Sequence, residues 1–235
     1  MTTPLELVVL DMAGTTVRDD GVVEQAFQRA AERTGVADRM PWTEALDHVR
    51  VTMGQSKIDV FTHLAAGDRE AAARATAAFE DAYAEIVAEQ GVAEVPGAAD
   101  AIQGLKDAGL TVVLTTGFAP VTRDALIEGL GWDGLIDLAL SPVDAGRGRP
   151  APDLVLTALL RTQTSSVAAV AVAGDTVSDI ESGRRAGAGF VAGVLTGAHD
   201  RPALSAAGAD AVLSDVTALR AALVQRELLP LVATS

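Results

Sequence analysis

The stretch that decides the fold runs from Leu5 to Thr16 and reads Leu-Glu-Leu-Val-Val-Leu-Asp-Met-Ala-Gly-Thr-Thr. Five of its first six residues are apolar, which is the pattern of a strand buried on both faces of a parallel sheet. Such a strand delivers Asp11 to the carboxyl edge of the sheet, where open α/β folds bind ligands. Gly14 and two hydroxyl residues come next. The sequence therefore predicts a nucleophilic or metal-binding carboxylate beside a turn of phosphate size.

Ala13 lies two residues after that carboxylate. Hydrolases that cleave phosphate esters usually place an acid at this point, where it protonates the departing oxygen. A methyl group cannot donate a proton, so the alanine restricts the kinds of bond that this site can cleave and argues against a phosphate ester as the substrate.

The length and composition limit the number of domains and the classes of partner that the protein can have. With 235 residues, the chain is long enough for one large domain or for a core with a smaller inserted one. A formal charge of -14 argues against nucleic acid and anionic membranes as general partners. The absence of cysteine excludes disulfides, a thiolate nucleophile and cysteine zinc sites. Neither a basic amino-terminal segment nor a long apolar run occurs, so we expect a soluble, cytoplasmic protein.

The spacing of apolar residues divides the chain into a helical block and an alternating block. Between about Val22 and Gln90 the pattern is helical throughout, with breaks at glycine and proline. The predicted helices of this block are Gln25–Arg33, Trp42–Val51, Ser56–Leu64 and Asp68–Gln90. A linker is predicted over Gly91–Gly97.

From Gly97 onward helices and strands alternate, which indicates a doubly wound parallel sheet with right-handed crossovers. The predicted strands are Leu110–Thr115, Leu135–Leu140, Val167–Ala173, Phe190–Leu195 and Ala211–Leu213. The predicted helices are Ala98–Ala108, Pro120–Leu130, Asp153–Arg161, Ser178–Ala186 and Val216–Gln225. We therefore expect an α/β core over residues 1–20 and 97–235, with an all-α cap domain inserted over residues 21–96.

Polar residues follow four of the predicted strands, and parallel strands open on the same edge of their sheet. They supply a carboxylate, hydroxyl and amide donors, a cation and an acidic pair. These residues are Asp11, Thr116 with Gly117, Arg149, and Asp175 with Asp179. Taken singly, the two later aspartates suggest helix caps and the threonine a strand end. Their joint occurrence favours one site for an anionic phosphoryl group.

A divalent metal fits this set of residues. Mg²⁺ prefers a few hard oxygen ligands, with water at its other positions. Asp11, the main-chain carbonyl of Ala13 and Asp175 provide three such ligands. Asp179 lies one helical turn further on, where it can hold a water on the metal. The metal and Arg149 would neutralise the phosphoryl group so that a carboxylate anion can approach phosphorus.

Four motifs, in this order and over most of the chain, resemble those of the haloacid dehalogenase superfamily of hydrolases. They are Asp-Met-Ala-Gly-Thr-Thr-Val from Asp11, Thr-Thr-Gly from Thr115, Gly-Arg-Pro from Gly148 and Gly-Asp-Thr-Val-Ser-Asp from Gly174. The first motif has an alanine at its third position, and the third motif has an arginine in place of the usual lysine. With these two residues the motifs resemble those of phosphonoacetaldehyde hydrolases (phosphonatases) and their phosphonatase-like relatives.

This resemblance implies a role for each residue at the predicted sheet edge. Asp11 would be the nucleophile, and Thr116, Gly117 and Arg149 would bind the phosphoryl group. Asp175 would be the second acidic Mg²⁺ ligand and Asp179 the acid that holds a water. The resemblance also implies a small anionic organophosphorus substrate and a possible homodimer.

The predicted cap contains a fifth motif. Met-Gly-Gln-Ser-Lys-Ile-Asp, from Met53 to Asp59, matches the family's Met-Gly-x-x-Lys-Ile-Asp, whose lysine forms a Schiff base with the substrate aldehyde. The resemblance thus implies Lys57 as a catalytic residue and Met53 as a substrate-binding residue. Without the motif, an ordinary exposed helix lysine would be the simpler interpretation.

The local sequence also suits Lys57 to imine formation. It is one of only two lysines among 18 basic residues, and the others are arginines, whose guanidinium cannot act as an amine nucleophile. The residue falls in the first turn of a predicted helix, where the dipole disfavours an ammonium ion. Apolar neighbours at Val60, Phe61 and Leu64 can desolvate it, and a lowered pKa is what imine formation requires.

Ala13 and Lys57 are complementary in this interpretation. The leaving atom of a carbon–phosphorus bond is carbon, so an acid aimed at oxygen is of little use, whereas an adjacent iminium can accept the electrons. The chain departs from the family in having Val60 in place of a typical histidine, Phe118 in place of a tyrosine, and no cysteine, which some phosphonatases have in the loop after the first motif. Those groups help to move protons around the imine, so the departures leave the carbon skeleton of the substrate open.

Three functions are compatible with the sequence. The first is a Mg²⁺-dependent hydrolase that cleaves the carbon–phosphorus bond of phosphonoacetaldehyde or of a close 2-oxoalkylphosphonate. The second is a phosphatase or phosphomutase acting on a small phosphate ester, which Ala13 opposes. The third is a non-catalytic binding protein that kept the fold. The intact set of acidic residues, together with Thr116, argues against this third function.

Overall fold

The computed structural model describes residues 3–229. Its strands are β1 (Leu7–Asp11), β2 (Thr111–Thr115), β3 (Leu138–Leu140), β4 (Val170–Gly174), β5 (Phe190–Val194) and β6 (Ala211–Leu213). Its α-helices are α1 (Val22–Thr34), α2 (Trp42–Val51), α3 (Lys57–Leu64), α4 (Arg69–Gln90), α5 (Ala98–Asp107), α6 (Pro120–Leu130), α7 (Pro142–Ala145), α8 (Asp153–Thr162), α9 (Val177–Ala186), α10 (Arg201–Ala206) and α11 (Leu219–Gln225). Residues 1, 2 and 230–235, which the predicted core includes, lie outside the described residues.

The six strands form one sheet in the order β3-β2-β1-β4-β5-β6, and every pairing is parallel. β1 pairs with β2 on one side, so that Asp11 lies opposite Thr115, and with β4 on the other. The strand order reverses between β1 and β4, and such a reversal opens a crevice at the carboxyl ends of the strands. The predicted doubly wound parallel sheet is confirmed.

The sheet is buried on both faces because side chains alternate along each strand. In β1, Val8 and Leu10 enter one apolar cluster, whereas Leu7 and Val9 enter another. Residues of α5, α6 and α11 join the first cluster, which continues into α1 to α4, and residues of α8, α9 and α10 join the second. The core is therefore a three-layer sandwich of helices, sheet and helices.

An all-helical cap, α1 to α4, is inserted between β1 and α5. Its centre is aromatic, since the Phe27 ring lies 5.0 Å from that of Phe61 and 4.7 Å from that of Phe79. Two short chain segments join the cap to the core, and they pair with each other through an isolated bridge between Val17 and Glu94. The inserted cap is confirmed, while its boundaries at residues 21 and 96 stay a prediction.

Several elements of the core differ from the sequence-based expectation. Helix α7 was not predicted, and the predicted helix Val216–Gln225 begins with a 3-10 turn over Val216–Ala218. The predicted strand from Leu135 begins only at Leu138, because the Leu135 amide bonds back to the Trp132 carbonyl at 2.9 Å and forms a turn. Val167–Ala169 is a 3-10 turn rather than a strand, with the Ser166 hydroxyl accepting from its backbone. Helix α10 was not predicted, although the Asp200 side chain caps its first turn.

The described residues 3–229 contain no helix that is both long and apolar enough to cross a membrane.

A matched pair of leucines on α8 tests the packing of the second cluster. Leu154 is buried at 1% exposure, whereas Leu160 on the same helix is 72% exposed. Leu154→Ala should lower the free energy of unfolding by about 2–5 kcal/mol through lost burial and a residual cavity. Leu160→Ala should change it by less than about 0.5 kcal/mol. Urea denaturation measures both values, and equal effects would contradict the assigned packing.

Candidate active site

Asp11 ends β1 and is followed by a tight turn. The backbone amides of Thr15, Thr16 and Val17 all point to the carbonyl of Met12, at 3.1, 2.9 and 2.8 Å. Gly14 has a φ of 85°, a left-handed conformation that strongly favours glycine. A Cβ on Gly14 would also lie 2.6 Å from an Asp175 carboxylate oxygen. The glycine therefore allows the turn to close against the end of β4.

Arg149 is the buried cation of the core site. Its Nη1 lies 2.5 Å from Asp11 Oδ1 and also bonds to Asp179 Oδ1. All three side chains are buried, so the guanidinium offsets two charges that water does not reach. Nε of Arg149 is buried without a hydrogen-bond partner among residues 3–229. The guanidinium thus keeps one donor that the described residues do not satisfy.

Asp175 and Asp179 have different surroundings. The Asp175 carboxylate accepts from the Thr15 hydroxyl at 3.0 Å and from the Ala198 amide at 2.8 Å. Asp179 sits in the first turn of α9 and forms a capping box with Thr176. The helix-cap interpretation thus holds for Asp179, which in addition contacts Arg149, but not for Asp175.

The three aspartates form a cluster that fits a hard divalent cation. Carboxylate oxygens of Asp11, Asp175 and Asp179 all lie within 4.8 Å of one another. Burial raises the pKa of Asp11 to about 6, against the opposing effect of the Arg149 guanidinium. Burial and the neighbouring carboxylates raise the pKa of Asp175 well above its usual range. The cluster holds more negative charge than its surroundings offset, and an all-oxygen donor set suits Mg²⁺.

Thr116 and Gly117 directly follow β2. Thr116 is buried and its hydroxyl accepts from the Phe118 amide at 3.2 Å. The Cα of Gly117 is close to the cap, because an added Cβ would lie only 2.6 Å from the carbonyl oxygen of Gln55. Gly117 thus has a structural reason to be glycine that the sequence did not reveal.

The cap loop between α2 and α3 lies against the core at two further points. A Cβ on Gly54 would lie 2.5 Å from the Thr176 hydroxyl, and one on Gly148 would lie 2.7 Å from the Ser56 side chain. Gly54 also has a φ of 83°. This glycine seam, formed by Gly54, Gly117 and Gly148, lets the loop that precedes Lys57 approach the sheet edge closely.

Lys57 lies in the first turn of α3, as the sequence predicted; it is the first residue of the helix, and it is 5% exposed. Its Nζ lies 5.4, 5.3 and 5.0 Å from the ring centres of Phe27, Phe79 and Phe118. This aromatic box was not foreseen. The sequence indicated Val60, Phe61 and Leu64 as the desolvating neighbours, but Phe61 packs behind two of the rings.

Burial lowers the pKa of the Lys57 amine from 10.5 to about 8. The carboxylate of Glu80 opposes this shift, while the Arg149 guanidinium adds to it. The amine therefore has an appreciable neutral fraction near neutral pH, and the neutral form is the nucleophile.

One cavity brings most of the predicted residues together. It lies between cap and core, and its volume is about 20 Å³, enough for a single water. The predicted residues that line it are Asp11, Ala13, Met53, Lys57, Thr116, Gly117, Arg149 and Asp175. Asp179 lies behind them and reaches the site through Arg149. A substrate larger than water therefore needs the cap loop to move away from the sheet edge.

Two further residues near the cavity, Asp19 and Glu80, were not predicted from the sequence. Asp19 lines the cavity, and its carboxylate accepts from the Val23 amide at 3.0 Å, so an aspartate a few residues before the predicted helical block was the available signal. Glu80 of α4 accepts from the Ala119 amide at 3.0 Å and from the Thr122 hydroxyl. It ties the cap to the start of α6, a contact that no local pattern indicates.

A family model described as haloacid dehalogenase-like hydrolase matches residues 5–187. This chain belongs to the haloacid dehalogenase-like hydrolases. The chain is 31% identical to the phosphonoacetaldehyde hydrolase of Bordetella pertussis over 215 residues, which cover 82% of this chain and 74% of that protein. It is 28% identical to a phosphonoacetaldehyde hydrolase-like protein of Syntrophobacter fumaroxidans over 218 residues, 83% of this chain and 74% of the relative.

Solved structures of haloacid dehalogenase-like proteins share the fold. A hydrolase from Pseudomonas syringae has a TM-score of 0.79 at 25% identity, with 94% of this chain and 98% of that one covered. A phosphonoacetaldehyde hydrolase-like protein from Oleispira antarctica also has a TM-score of 0.79, at 24% identity, with 97% and 95% covered. A predicted phosphoglycolate phosphatase from Haemophilus somnus has a TM-score of 0.75 at 16% identity, with 94% and 99% covered.

The desolvation of Lys57 predicts that an apolar replacement stabilises the fold. Lys57→Met should raise the free energy of unfolding at pH 7 by up to about 3 kcal/mol, since each pKa unit corresponds to about 1.4 kcal/mol. The folded-state pKa lies below the unfolded value, so the cost of the charge is fully present below pH 8. The advantage of the methionine should therefore shrink as the pH rises from about 8 to about 10.5.

Lys106→Met is the matched control for this variant, because Lys106 is the other lysine and forms a partly exposed pair with Asp137. It should lower stability by no more than about 1 kcal/mol. Thermal and urea denaturation across pH measure both variants, and a destabilised Lys57→Met at pH 7 would contradict the assigned environment.

The glycine seam predicts that one methyl group displaces the cap loop. In Gly117→Ala the new Cβ would meet the backbone oxygen of Gln55, which cannot rotate away, at a cost of about 1–3 kcal/mol. Amide hydrogen exchange over residues 53–57 should accelerate by about tenfold or more. Gly134→Ala is the control, since no atom lies within 4 Å of its added Cβ. Unchanged exchange in Gly117→Ala would rule out the close contact.

Proposed function

We propose that this hydrolase cleaves the carbon–phosphorus bond of phosphonoacetaldehyde, or of a closely related 2-oxoalkylphosphonate, in a Mg²⁺-dependent reaction. The observation that carries the proposal is the buried amine of Lys57 in the same cavity as the Asp11 carboxylate and Ala13. A nucleophile for phosphorus and a nucleophile for an aldehyde thus face one small space. The name of the Bordetella pertussis relative supports the same substrate.

The core side of the cavity provides the groups for phosphoryl transfer. Asp11 is the nucleophile that attacks phosphorus in line, forming an aspartyl-phosphate that water then hydrolyses. Arg149 and Thr116 bind the phosphoryl oxygens, and the unpartnered Nε of Arg149 is a donor for them. Asp11, the Ala13 carbonyl and Asp175 would hold Mg²⁺, which supplies positive charge against the phosphoryl oxygens.

The cap side provides the electron sink. The neutral amine of Lys57 adds to the aldehyde carbon, and protonation of the resulting hydroxyl group followed by loss of water gives an iminium. When the carbon–phosphorus bond breaks, its electron pair forms a carbon–carbon double bond and neutralises the iminium nitrogen, leaving an enamine. Protonation of the enamine carbon and hydrolysis of the imine release the aldehyde product and restore Lys57.

Ala13 agrees with this division of roles. An acid at that position serves a departing oxygen, and carbon needs none there. A phosphate ester would lack the usual proton donor at position 13, so we place a phosphatase or phosphomutase second, although phosphatases are among the proteins that share the fold.

A phosphate-release assay tests the proposal. Purified protein with Mg²⁺ should release phosphate from phosphonoacetaldehyde faster than from its hydroxylated analogue or from common phosphate esters, and chelation of the metal should abolish release. Borohydride added during turnover should trap an adduct on Lys57. A clear preference for phosphate esters, with Lys57 unmodified, would overturn the proposal in favour of the phosphatase.

Two substitutions separate the two nucleophiles. Asp11→Asn should lower phosphate release by at least about a thousandfold, because the covalent route is lost. Lys57→Arg should abolish phosphonate cleavage, since a guanidinium stays protonated, whereas Lys106→Arg should leave it unchanged. Retention of most phosphonate activity in Lys57→Arg would exclude the imine mechanism.

A further inference from the structure

The cavity contains one acidic group that the proposed mechanism does not use. The lining residues with a group that can gain or lose a proton are Asp11, Asp19, Lys57, Arg149 and Asp175. Asp11 and Asp175 belong to the carboxylate cluster that suits a cation, and an arginine keeps its proton. Histidine does not occur among the described residues that line the cavity. Asp19 is therefore the carboxyl group left for proton transfer.

Asp19 is fixed to the same rigid element as part of the aromatic box. Its Oδ1 accepts from the Val23 amide at 3.0 Å, at the start of α1. Phe27, one turn further along α1, lies against Lys57 Nζ. Asp19 is thus bonded to the helix whose Phe27 ring lies against the Lys57 amine.

The surroundings of Asp19 suit a group that exchanges protons. Burial raises the pKa of its carboxyl group, while the amide of Val23 and the Lys57 charge oppose that shift. A carboxyl group with a raised pKa holds a proton more readily near neutral pH, which favours proton transfer in both directions.

Glu80 is a less suitable proton carrier, although its charge also acts on Lys57. Its carboxylate is engaged with the Ala119 amide and the Thr122 hydroxyl. It is not among the described residues that line the cavity. Its contacts make it a link between cap and core.

We infer that Asp19 is the catalytic acid and base for imine formation at Lys57. The inference rests on the proposed function, because it assigns the proton transfers of that reaction's first stage. It adds a residue that none of the sequence motifs contains.

The proton transfers balance without any further reagent. The Asp19 carboxylate takes a proton from the Lys57 ammonium, and the neutral nitrogen then forms a bond to the aldehyde carbon. The nitrogen passes a proton to the former carbonyl oxygen, giving a carbinolamine. Asp19 returns its proton to that hydroxyl, the carbon–oxygen bond breaks and water leaves. The products are an iminium, one water and an Asp19 carboxylate restored to its starting state.

Imine formation can be measured apart from phosphorus chemistry with acetaldehyde as the probe. Cyanoborohydride reduces the imine, and mass spectrometry follows ethylation of Lys57 over time. Asp19→Asn should lower the limiting rate of trapping at saturating acetaldehyde by about a hundredfold, because general acid–base catalysis contributes at least that much. The half-saturating acetaldehyde concentration should change little, since the substitution leaves the walls of the cavity in place.

Asparagine keeps an oxygen that can accept from the Val23 amide, so the start of α1 should be preserved. Asp19→Ser is a second variant with the same capping ability and no acidic proton, and thermal denaturation checks that both are folded. Asp20→Asn is the matched control, because Asp20 is the adjacent, exposed acid that pairs with Arg18. Its trapping rate should equal that of the unmodified protein.

The outcomes distinguish the inference from the proposed function. Slow trapping in folded Asp19→Asn and Asp19→Ser, with normal trapping in Asp20→Asn, supports the role of Asp19. If the unmodified protein releases phosphate from phosphonoacetaldehyde but the Asp19 variants trap at its rate, the inference is wrong and the proposed function stands. If the unmodified protein neither releases phosphate nor forms the Lys57 adduct, the proposed function is wrong and the inference falls with it.

Discussion

The exclusion of water from a small space that holds several charged groups is the constraint on which the rest of this site depends. Asp11, Asp175 and Asp179 lie together at the sheet edge, and Lys57 faces them from the cap. Charges removed from water need compensation, and Arg149 provides it for two of the carboxylates. Burial in this space raises the pKa of the Asp11 carboxyl group and lowers the pKa of the Lys57 amine, and the lowered amine pKa is the condition for nucleophilic lysine chemistry.

The exclusion of water depends in turn on how closely the helical cap approaches the edge of the sheet. The sheet positions its side chains through the parallel register that sets Asp11 opposite Thr115. The cap positions Lys57 through the first turn of α3 and through packed phenylalanine rings. The glycine seam removes the Cβ atoms that would hold these parts apart. A single methyl group there would change the distance between the two nucleophiles without altering either of them.

The accuracy of the sequence-based expectations follows from the range of the interactions involved. The bounds of α2 and α6 agree with those predicted, because proline at the start of each helix, and glycine past the end of α6, are local signals. The strand predicted from Leu135 was too long, since a run of apolar residues does not distinguish an edge strand from the turn before it. The aromatic box around Lys57 was missed because its rings come from α1, α4 and the segment after β2.

The sequence alone determined the parallel core, the helical insertion and the set of polar residues at the strand ends. The spacing of apolar residues indicates the first two, and the residues that directly follow each strand give the third. It also placed Lys57 at a helix start and showed that position 13 lacks an acid. Only the tertiary structure decided that Asp19 shares the cavity with Lys57, that Gly117 contacts the cap loop, and that the amine is enclosed by phenylalanine. The physical reason is that desolvation and close contact depend on distances between residues far apart in the chain, and no local pattern encodes those distances.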